Sequence, residues 1–562
     1  MSIGSPKCAE LVLVNGKVRT PAHPSGFTRA AAVSGGTVLA LCDDDEIRDF
    51  IGPFTRVVDL RGRLAIPAFG DAHVHPVQGG LESLRCDLAG RKTKAEYLDA
   101  VAAYCANRTP PGGWVLGGGW SMPAFPGGTP AAADLDAVTG GRPAFLPNRD
   151  HHSAWVNSTA LAIAGVTRDT RDPADGRIER DHAGNPTGAL HDGAMRLVAD
   201  YVPLPSQAEL TAALLAAQRH LHSLGITSIQ DACVGDAGEI SVPDTFATYR
   251  AAAADRLLTC RVTGALWWNR FHGLHQLDTL QARREAADGD GYFRATSVKL
   301  MLDGVCETFT AAMGEPYLDG RGNPAGHAGS LFIEPDELAE VTGSLAGLGF
   351  QMHFHAIGDR AVTAALDALA ALPDALRASG RHHVAHLQFI RPADMERFAR
   401  LGVIANFQPL WACKDEQNER LTVPFVGLGR ANWQYRIGSL LRLGTRLAFG
   451  SDWPVSSADP LQELHVAVNR VLSARLGEPG SAETTVPLLA AEAIAVDAAV
   501  DAFTTGVAYV NREEDVAGTL EPGKVADVAV LDQDLFTIAP SAIGDTSVAL
   551  TIAGGKVVHG DE

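Results

Sequence analysis

Residues 71–76 read DAHVHP and close an apolar segment that begins at Ala65. Side chains two positions apart on a β-strand point to the same face, so His73 and His75 can converge on one cation. Imidazole nitrogen is a common ligand of zinc and of similar metals. Two ordinary half-buried histidines would give the same pattern, so the motif needs support from the rest of the chain.

Seven further short apolar segments follow, and Ala-rich helical stretches alternate with them. Alternating strands and helices predict a parallel sheet covered by helices, and eight strands close a (β/α)8 barrel. We therefore predict an α/β fold built on a TIM-type barrel. The expected strands are 65–75, 226–232, 260–267, 297–303, 350–355, 383–386, 403–408 and 447–452.

The two ends of the chain differ from its middle, because both carry short strands with glycine turns. We expect residues 1–66 and 501–562 to form a small β-sandwich beside a barrel at 67–500. The stretch from about residue 77 to 215 separates the first two expected strands and is rich in Gly and Pro. Such a long connection predicts an inserted subdomain.

Composition excludes several classes of protein. The 562 residues are 46% hydrophobic and 20% charged, which excludes a disordered or fibrous chain. The net charge of −19 disfavours nucleic acid and anionic membranes as partners, although the same charge also serves solubility alone. Eight scattered cysteines without a CxxC pair, and no apolar signal or membrane segment, predict a cytoplasmic protein.

A lysine lies inside the fourth expected strand, between apolar neighbours. Burial would lower the pKa of Lys299 and favour its neutral amine. A neutral amine can react with carbon dioxide to give a carbamate, an anionic ligand able to bridge two metals. A salt bridge from Lys299 to Asp303 or Glu307 is the alternative.

Three more expected strands end in side chains that bind metals. Residues 353–355 repeat the HxH pattern on the fifth strand. His383 and His386 have opposite parity on the sixth, so a regular strand would turn only one of them inward. Asp452 closes the eighth, as a ligand, a proton carrier or a helix cap. Barrel enzymes keep their active sites at these carboxyl strand ends, so the arrangement predicts an active site.

Together these motifs resemble the amidohydrolase superfamily, and within it the branch of YtcJ-like proteins and N-substituted formamide deformylases. The resemblance covers nearly the whole chain. Residues 71–75 match the opening motif of the superfamily, and GTLEPGKVAD at 518–527 matches its closing motif. Markers of the branch are GGW at 118–120, DHHSAWVNS at 150–158 and HAIGDRA at 355–361.

The resemblance implies a centre of one or two divalent ions per chain, with zinc the expected metal. It implies these ligands: His73 and His75 for the more buried metal, His355 and His386 for the second, an N-carboxylated Lys299 as a bridge, and Asp452. The implied reaction is metal-assisted hydrolysis of a C–N bond in a small-molecule amide, such as an N-formyl or N-aryl amide. Cyclic amides, ureas or esters as substrates, or a non-catalytic regulatory role, are the alternatives.

Asp452 is expected to pass a proton from water to the leaving nitrogen. His152 is expected either to donate a hydrogen bond to the oxyanion or to make a structural contact in the insertion. Glu307 adds a carboxylate near the site, as a ligand, a substrate contact or a partner of Lys299. Asp192 stands where relatives more often have Glu, and no role is assigned to it.

Aromatic residues cluster near expected strand ends or in the insertion, where they would line an apolar pocket or fill a core. The candidate substrate contacts are Trp120, Trp155, Glu307 and Trp411. A homodimer is expected only because homodimers are common among soluble enzymes.

Overall fold

The computed structural model of the chain describes residues 8–107, 113–173, 175–235, 237–238, 242–287 and 291–560. Its centre is an eight-stranded parallel sheet that curves into a barrel, which confirms the predicted α/β barrel fold. The barrel strands are β1 Phe69–Val74, β2 Ile226–Val234, β3 Arg261–Trp267, β4 Phe293–Met301, β5 Gln351–Ala356, β6 His383–His386, β7 Ile404–Phe407 and β8 Leu447–Phe449.

The barrel strands are buried on both faces, because helices cover the outside and side chains fill the inside. Every residue of β2 and of β5 is buried. Between β2 and the end of the barrel the helices are Phe246–Ala254, Leu277–Ala287, Pro335–Gly347, Asp359–Ala370, Asp374–Gly380, Met395–Leu401, Val423–Ala431, Ile437–Arg442, Pro460–Asn469, Ala482–Thr485, Val496–Phe503 and Thr505–Val510. Among the described residues, none of the helices combines the length and apolar character that a bilayer crossing requires.

The first expected strand, 65–75, is two strands, which corrects the prediction. Leu64–Pro67 pairs antiparallel with Val528–Leu531 in a separate sheet. The chain changes sheets at the next two residues, since the Ala68 amide donates to Asp527 and the Phe69 amide donates to the carbonyl of Gly225, each at 2.9 Å. The apolar segment 65–75 therefore spans two sheets, and its hydropathy does not show where the first strand ends and the second begins.

Residues from both ends of the chain share a six-stranded sheet and one hydrophobic core, and a four-stranded sheet from the N-terminal end packs on the same core. The four-stranded sheet contains Thr37–Cys42, Ala30–Ser34, Leu11–Val14 and Arg56–Asp59, in this spatial order. The six-stranded sheet contains Lys556–His559, Val548–Ala553, Val528–Leu531, Leu64–Pro67, Lys17–Arg19 and Phe27–Thr28.

A separate unit is inserted between β1 and β2. Its sheet has the strand order Gly176–Arg180, Pro186–Asp192, Ser153–Val156, Ala144–Pro147, Val115–Gly118 and Cys86–Asp87. Its helices are Lys94–Asn107, Ala132–Thr139, Ser158–Ala164 and Arg196–Ala199. The flanking helices Pro76–Leu84 and Gln207–Ser223 approach so closely that a Cβ on Gly80 would lie 2.0 Å from the Ala213 carbonyl oxygen.

The barrel closes between β8 and β1 without a strand ladder among the described residues. The buried carboxylate of Asp71 closes this seam instead. Its Oδ1 accepts the amides of His73 and Ser451 at 3.0 and 3.1 Å, and its Oδ2 accepts the Ser451 hydroxyl at 2.6 Å. Two backbone bonds continue the seam, from the Asp452 amide to the His73 carbonyl and from the His75 amide to Trp453.

Replacing Asp71 is expected to destabilise the closed barrel. Asp71→Ala leaves three buried donors without an acceptor, which should lower the free energy of unfolding by about 3 kcal/mol. Asp71→Asn keeps an oxygen for the two amides, so its loss should be about 1 kcal/mol. Urea unfolding of both variants measures the difference, and equal losses would contradict this account of the seam.

Candidate metal centre

Six side chains expected to bind metal meet at the carboxyl end of the barrel. His73 lies on β1, and His75 follows that strand directly. Lys299, His355 and His386 lie on β4, β5 and β6, and Asp452 lies just beyond the end of β8. All of these side chains except His75 are at least nine-tenths buried.

The imidazoles of His73 and His75 converge on the carboxylate of Asp452. Its Oδ1 lies 3.1 Å from Nε2 of His73 and 3.0 Å from Nε2 of His75. Nζ of Lys299 is 3.4 Å from the same Nε2 of His73. One donor atom each from His73, His386 and Asp452 lie within 4.8 Å of one another, which is close enough for a shared ion.

A second pair of imidazoles lies beside this group. The ring centroids of His355 and His386 are 4.4 Å apart, and those of His386 and His73 are 4.7 Å apart. The structure therefore brings together all six residues that the sequence nominated.

Several donor atoms in this group are buried and lack a hydrogen-bond partner within the described residues. They are Nδ1 of His75, Nε2 of His355 and Nδ1 of His386. A buried polar atom without a partner costs free energy, so such a group needs an explanation. Imidazole nitrogens and a carboxylate oxygen are the donors that zinc prefers, so these residues fit a divalent metal.

The protonation states also suit metal ligands. Burial lowers the pKa of His355 and of His386 well below the usual range, so both rings are neutral. Burial also lowers the pKa of Lys299 to about 8, against the opposing charge of Asp452. Burial would raise the pKa of Asp452, but the neighbouring His73 and His75 hold it well below its usual value.

The alternative prediction, a salt bridge from Lys299 to Asp303 or Glu307, is wrong. The Asp303 carboxylate accepts the backbone amides of Ile357, Gly358 and Ala312 at 2.8–3.0 Å and thereby ties the loop after β4 to the loop after β5. Glu307 accepts the hydroxyl of Thr422 at 2.9 Å. Lys299 therefore points at the imidazoles rather than at either carboxylate.

The expectation that only one histidine of β6 turns inward is also wrong. His383 has its ring 4.1 Å from that of His353, and His386 packs on His73. The strand rule fails because His386 adopts a left-handed backbone conformation, with φ of 75°. Asp452 does the same, with φ of 56°. Strained backbone of this kind concentrates at functional sites.

His353 has a role that the sequence did not assign. Its Nε2 lies 2.9 Å from Nδ1 of His73, so it fixes the ring of His73 with Nε2 towards Asp452. Orientation of a ligand imidazole through its second nitrogen is common at metal centres. The signal was present in the sequence, because His353 and His355 have the same parity on one strand.

His152 reaches the centre from the inserted unit. Its ring centroid is 6.0 Å from that of His355, and its Nδ1 is 2.6 Å from Oδ1 of Asp192. Burial alone would lower the pKa of His152, but the hydrogen bond and charge of Asp192 raise it to about 9. The contact with Asp192 had no sequence signal, because it forms only where the strand that follows His152 pairs with the strand that ends at Asp192.

Trp411 and Glu307 lie near the centre. The indole of Trp411 stacks on the ring of His386 at 5.2 Å and 2°, and its Nε1 donates to Ser456 at 3.1 Å. Glu307 is half-buried, and its negative charge acts on His152. Both side chains therefore border the space beside the metal ligands.

Trp120 and Trp155 do not line this space, which corrects the prediction of substrate contacts. Both are fully buried and pack against Phe125 in the core of the inserted unit. Their Nε1 atoms donate to the carbonyls of Leu146 and Ala131 at 2.8 and 2.9 Å, which satisfies both indoles. They stabilise the insertion instead.

Comparison with known proteins agrees with this geometry. The amidohydrolase family matches residues 56–559. The putative amidohydrolase YtcJ of Bacillus subtilis (strain 168) is 29% identical over 552 residues, covering 97% of this chain and 98% of YtcJ. N-substituted formamide deformylase of Arthrobacter pascens is 24% identical over 567 residues, covering 97% of each chain.

A solved structure of an uncharacterized metal-dependent hydrolase from Pyrococcus furiosus superposes with a TM-score of 0.69 at 27% identity. The superposition covers 93% of this chain and 99% of that one. The family match and the relatives together confirm the resemblance drawn from the motifs. The chain belongs to the amidohydrolase family, in the branch of YtcJ and N-substituted formamide deformylase, and is a metal-dependent hydrolase.

Proposed function

We propose that this hydrolase cleaves the C–N bond of a small-molecule amide. The observation that carries the proposal is the set of buried nitrogen and oxygen donors around Asp452, several of them without a partner in the described residues. A relative that aligns with 97% of the chain is a deformylase of N-substituted formamides, which supports the amide class. Fold and metal alone would not select amides over other carbonyl compounds.

His73, His75 and Asp452 would hold one divalent ion, and His355 and His386 a second. Bound metal supplies this site with a water of lowered pKa and with a Lewis acid for the substrate carbonyl. Lys299, as its carbamate, would bridge the two positions. The low pKa of the buried Lys299 amine supports this, because the neutral amine is the form that reacts with carbon dioxide.

Asp452 would transfer the proton, and His152 would stabilise the negative charge that develops on the carbonyl oxygen. Asp452 is a carboxylate at neutral pH, so it can accept the proton of the attacking water and return it to the leaving nitrogen. His152 has its Nδ1 engaged by Asp192, which leaves Nε2 to donate a hydrogen bond to the carbonyl oxygen as it becomes an oxyanion.

The surroundings favour neutral amides with an apolar or aromatic substituent. Trp411 lies over His386 and, like Phe309 and Phe425, packs against a buried apolar cluster. Asp150 and Glu307 place negative charge around His152, which disfavours an anionic substituent. N-aryl formamides combine a neutral amide with a flat apolar ring and match these walls.

Metal content tests the centre directly. Wild-type protein reconstituted with zinc and bicarbonate should carry about two ions per chain, and Lys299→Met should carry about one, because the bridge is lost. Elemental mass spectrometry measures the ions, and Lys94→Met on the inserted unit is the control. One ion in wild type and variant alike would remove Lys299 from the centre, and no bound ion would overturn the proposed function.

Asp452→Asn should lower kcat for an N-aryl formamide by about 10³-fold, since the amide side chain cannot carry the proton. Metal content measured on the same sample separates lost proton transfer from lost metal. Asp459→Asn is the matched control, because Asn also caps the helix that Asp459 begins. Undiminished turnover in Asp452→Asn would show that another group moves the proton.

Trp411→Ala should raise KM for N-phenylformamide by about 10-fold and KM for N-methylformamide by less than about 2-fold, because only the aryl ring loses a stacking partner. Steady-state kinetics on both substrates measure the ratio. Trp120→Phe is the control: it should lower the melting temperature and leave the ratio unchanged. Equal rises in the two KM values would contradict a substrate contact at Trp411.

A further inference from the structure

We propose that Asp192 is a positioning residue, which holds His152 over the metal centre and makes the inserted unit part of the active site. The inference rests on the proposed function, in which His152 donates a hydrogen bond to the substrate. Asp192 does not reach the metal ligands itself. It acts through His152, to which it is joined by a hydrogen bond of 2.6 Å.

The contact fixes the histidine at both its backbone and its ring. The Asp192 amide donates to the carbonyl of His152 at 2.9 Å, and the Asp192 carboxylate engages Nδ1 of the same residue. The His152 amide in turn donates to Oδ1 of Asp150 at 3.0 Å. Because Asp192 holds Nδ1 of His152, Nε2 is the nitrogen that can donate to the substrate. The Asp-His pair of a catalytic triad is arranged in the same way.

The backbone of Asp192 is strained, with φ of 47° and ψ of −126°. This region favours glycine, so an aspartate there carries a conformational cost. The Asp192 side chain is only 5% exposed, so contact with water does not offset the cost of the strained backbone. Its contact with His152 gives a reason for an aspartate at a position where the backbone alone would favour glycine.

The second oxygen of Asp192 connects the insertion to the barrel. Oδ2 lies 3.3 Å from the hydroxyl of Thr308, which in turn lies 2.8 Å from the hydroxyl of Thr310. Both threonines belong to the loop that follows β4, the strand of Lys299. Asp192 therefore positions His152 relative to the metal ligands of the barrel as well as within the sheet of the inserted unit.

Three variants test the proposal on the zinc-reconstituted enzyme: Asp192→Gly, His152→Gln and the double variant. Glycine adopts the φ and ψ of position 192 without strain, so only the carboxylate is removed. Asp192→Gly should lower kcat for N-phenylformamide by about 10²-fold, with KM changed by less than about 3-fold and the metal content kept. The double variant should be no slower than His152→Gln, because Asp192 acts only through His152.

Asp169→Gly, an exposed aspartate of the same unit, is the matched control for a new glycine. A double variant slower than His152→Gln by the full factor of Asp192→Gly would overturn the proposal, as would a loss of kcat below about 3-fold in Asp192→Gly. A crystal structure of Asp192→Gly gives a readout without substrate. The His152 ring should leave its place beside His355, and an unmoved ring would overturn the proposal even if the proposed amide hydrolysis failed.

Discussion

The Asp71 carboxylate at the seam of the barrel is the constraint on which the candidate metal centre depends. The strands β1 and β8 meet there without a ladder in the described residues, so two hydrogen bonds from Ser451 to the Asp71 carboxylate and two backbone bonds join them instead. One of these backbone bonds joins two candidate metal ligands, because the Asp452 amide donates to the His73 carbonyl at 2.7 Å. The residues that close the barrel and the candidate metal ligands are therefore neighbours in the structure.

The barrel and its six candidate ligands could be predicted from the sequence because they follow from one rule. Parallel strands in a barrel end on the same rim, so polar residues at strand ends converge whatever their distance along the chain. The rule failed where local backbone geometry departed from a regular strand. His386 turns inward through its positive φ, and neither parity nor hydropathy shows that angle.

Contacts made by the inserted unit could not be predicted in the same way. Trp120 and Trp155 resemble pocket residues in the sequence, yet they fill a separate core because the insertion has its own sheet to cover. His152 and Asp192 meet only because the strands Ser153–Val156 and Pro186–Asp192 pair antiparallel. A pairing between strands of an irregular insertion has no periodic signal, unlike the alternation of strand and helix in the barrel.

The two parts of the molecule contribute different physical properties to the site. The barrel supplies neutral imidazoles and a buried carboxylate, held in strained backbone that a densely packed core can support. Each buried donor without a partner costs about 1–3 kcal/mol, so this part of the site is unfavourable until a cation satisfies it. The insertion supplies His152, whose raised pKa keeps its ring protonated and charged beside imidazoles that are neutral. A proton donor next to a group of neutral nitrogens requires a carboxylate of its own, and Asp192 is that carboxylate. The antiparallel pairing of Ser153–Val156 with Pro186–Asp192 fixes the backbone of the inserted unit beside both partners, so the histidine and its carboxylate are placed together.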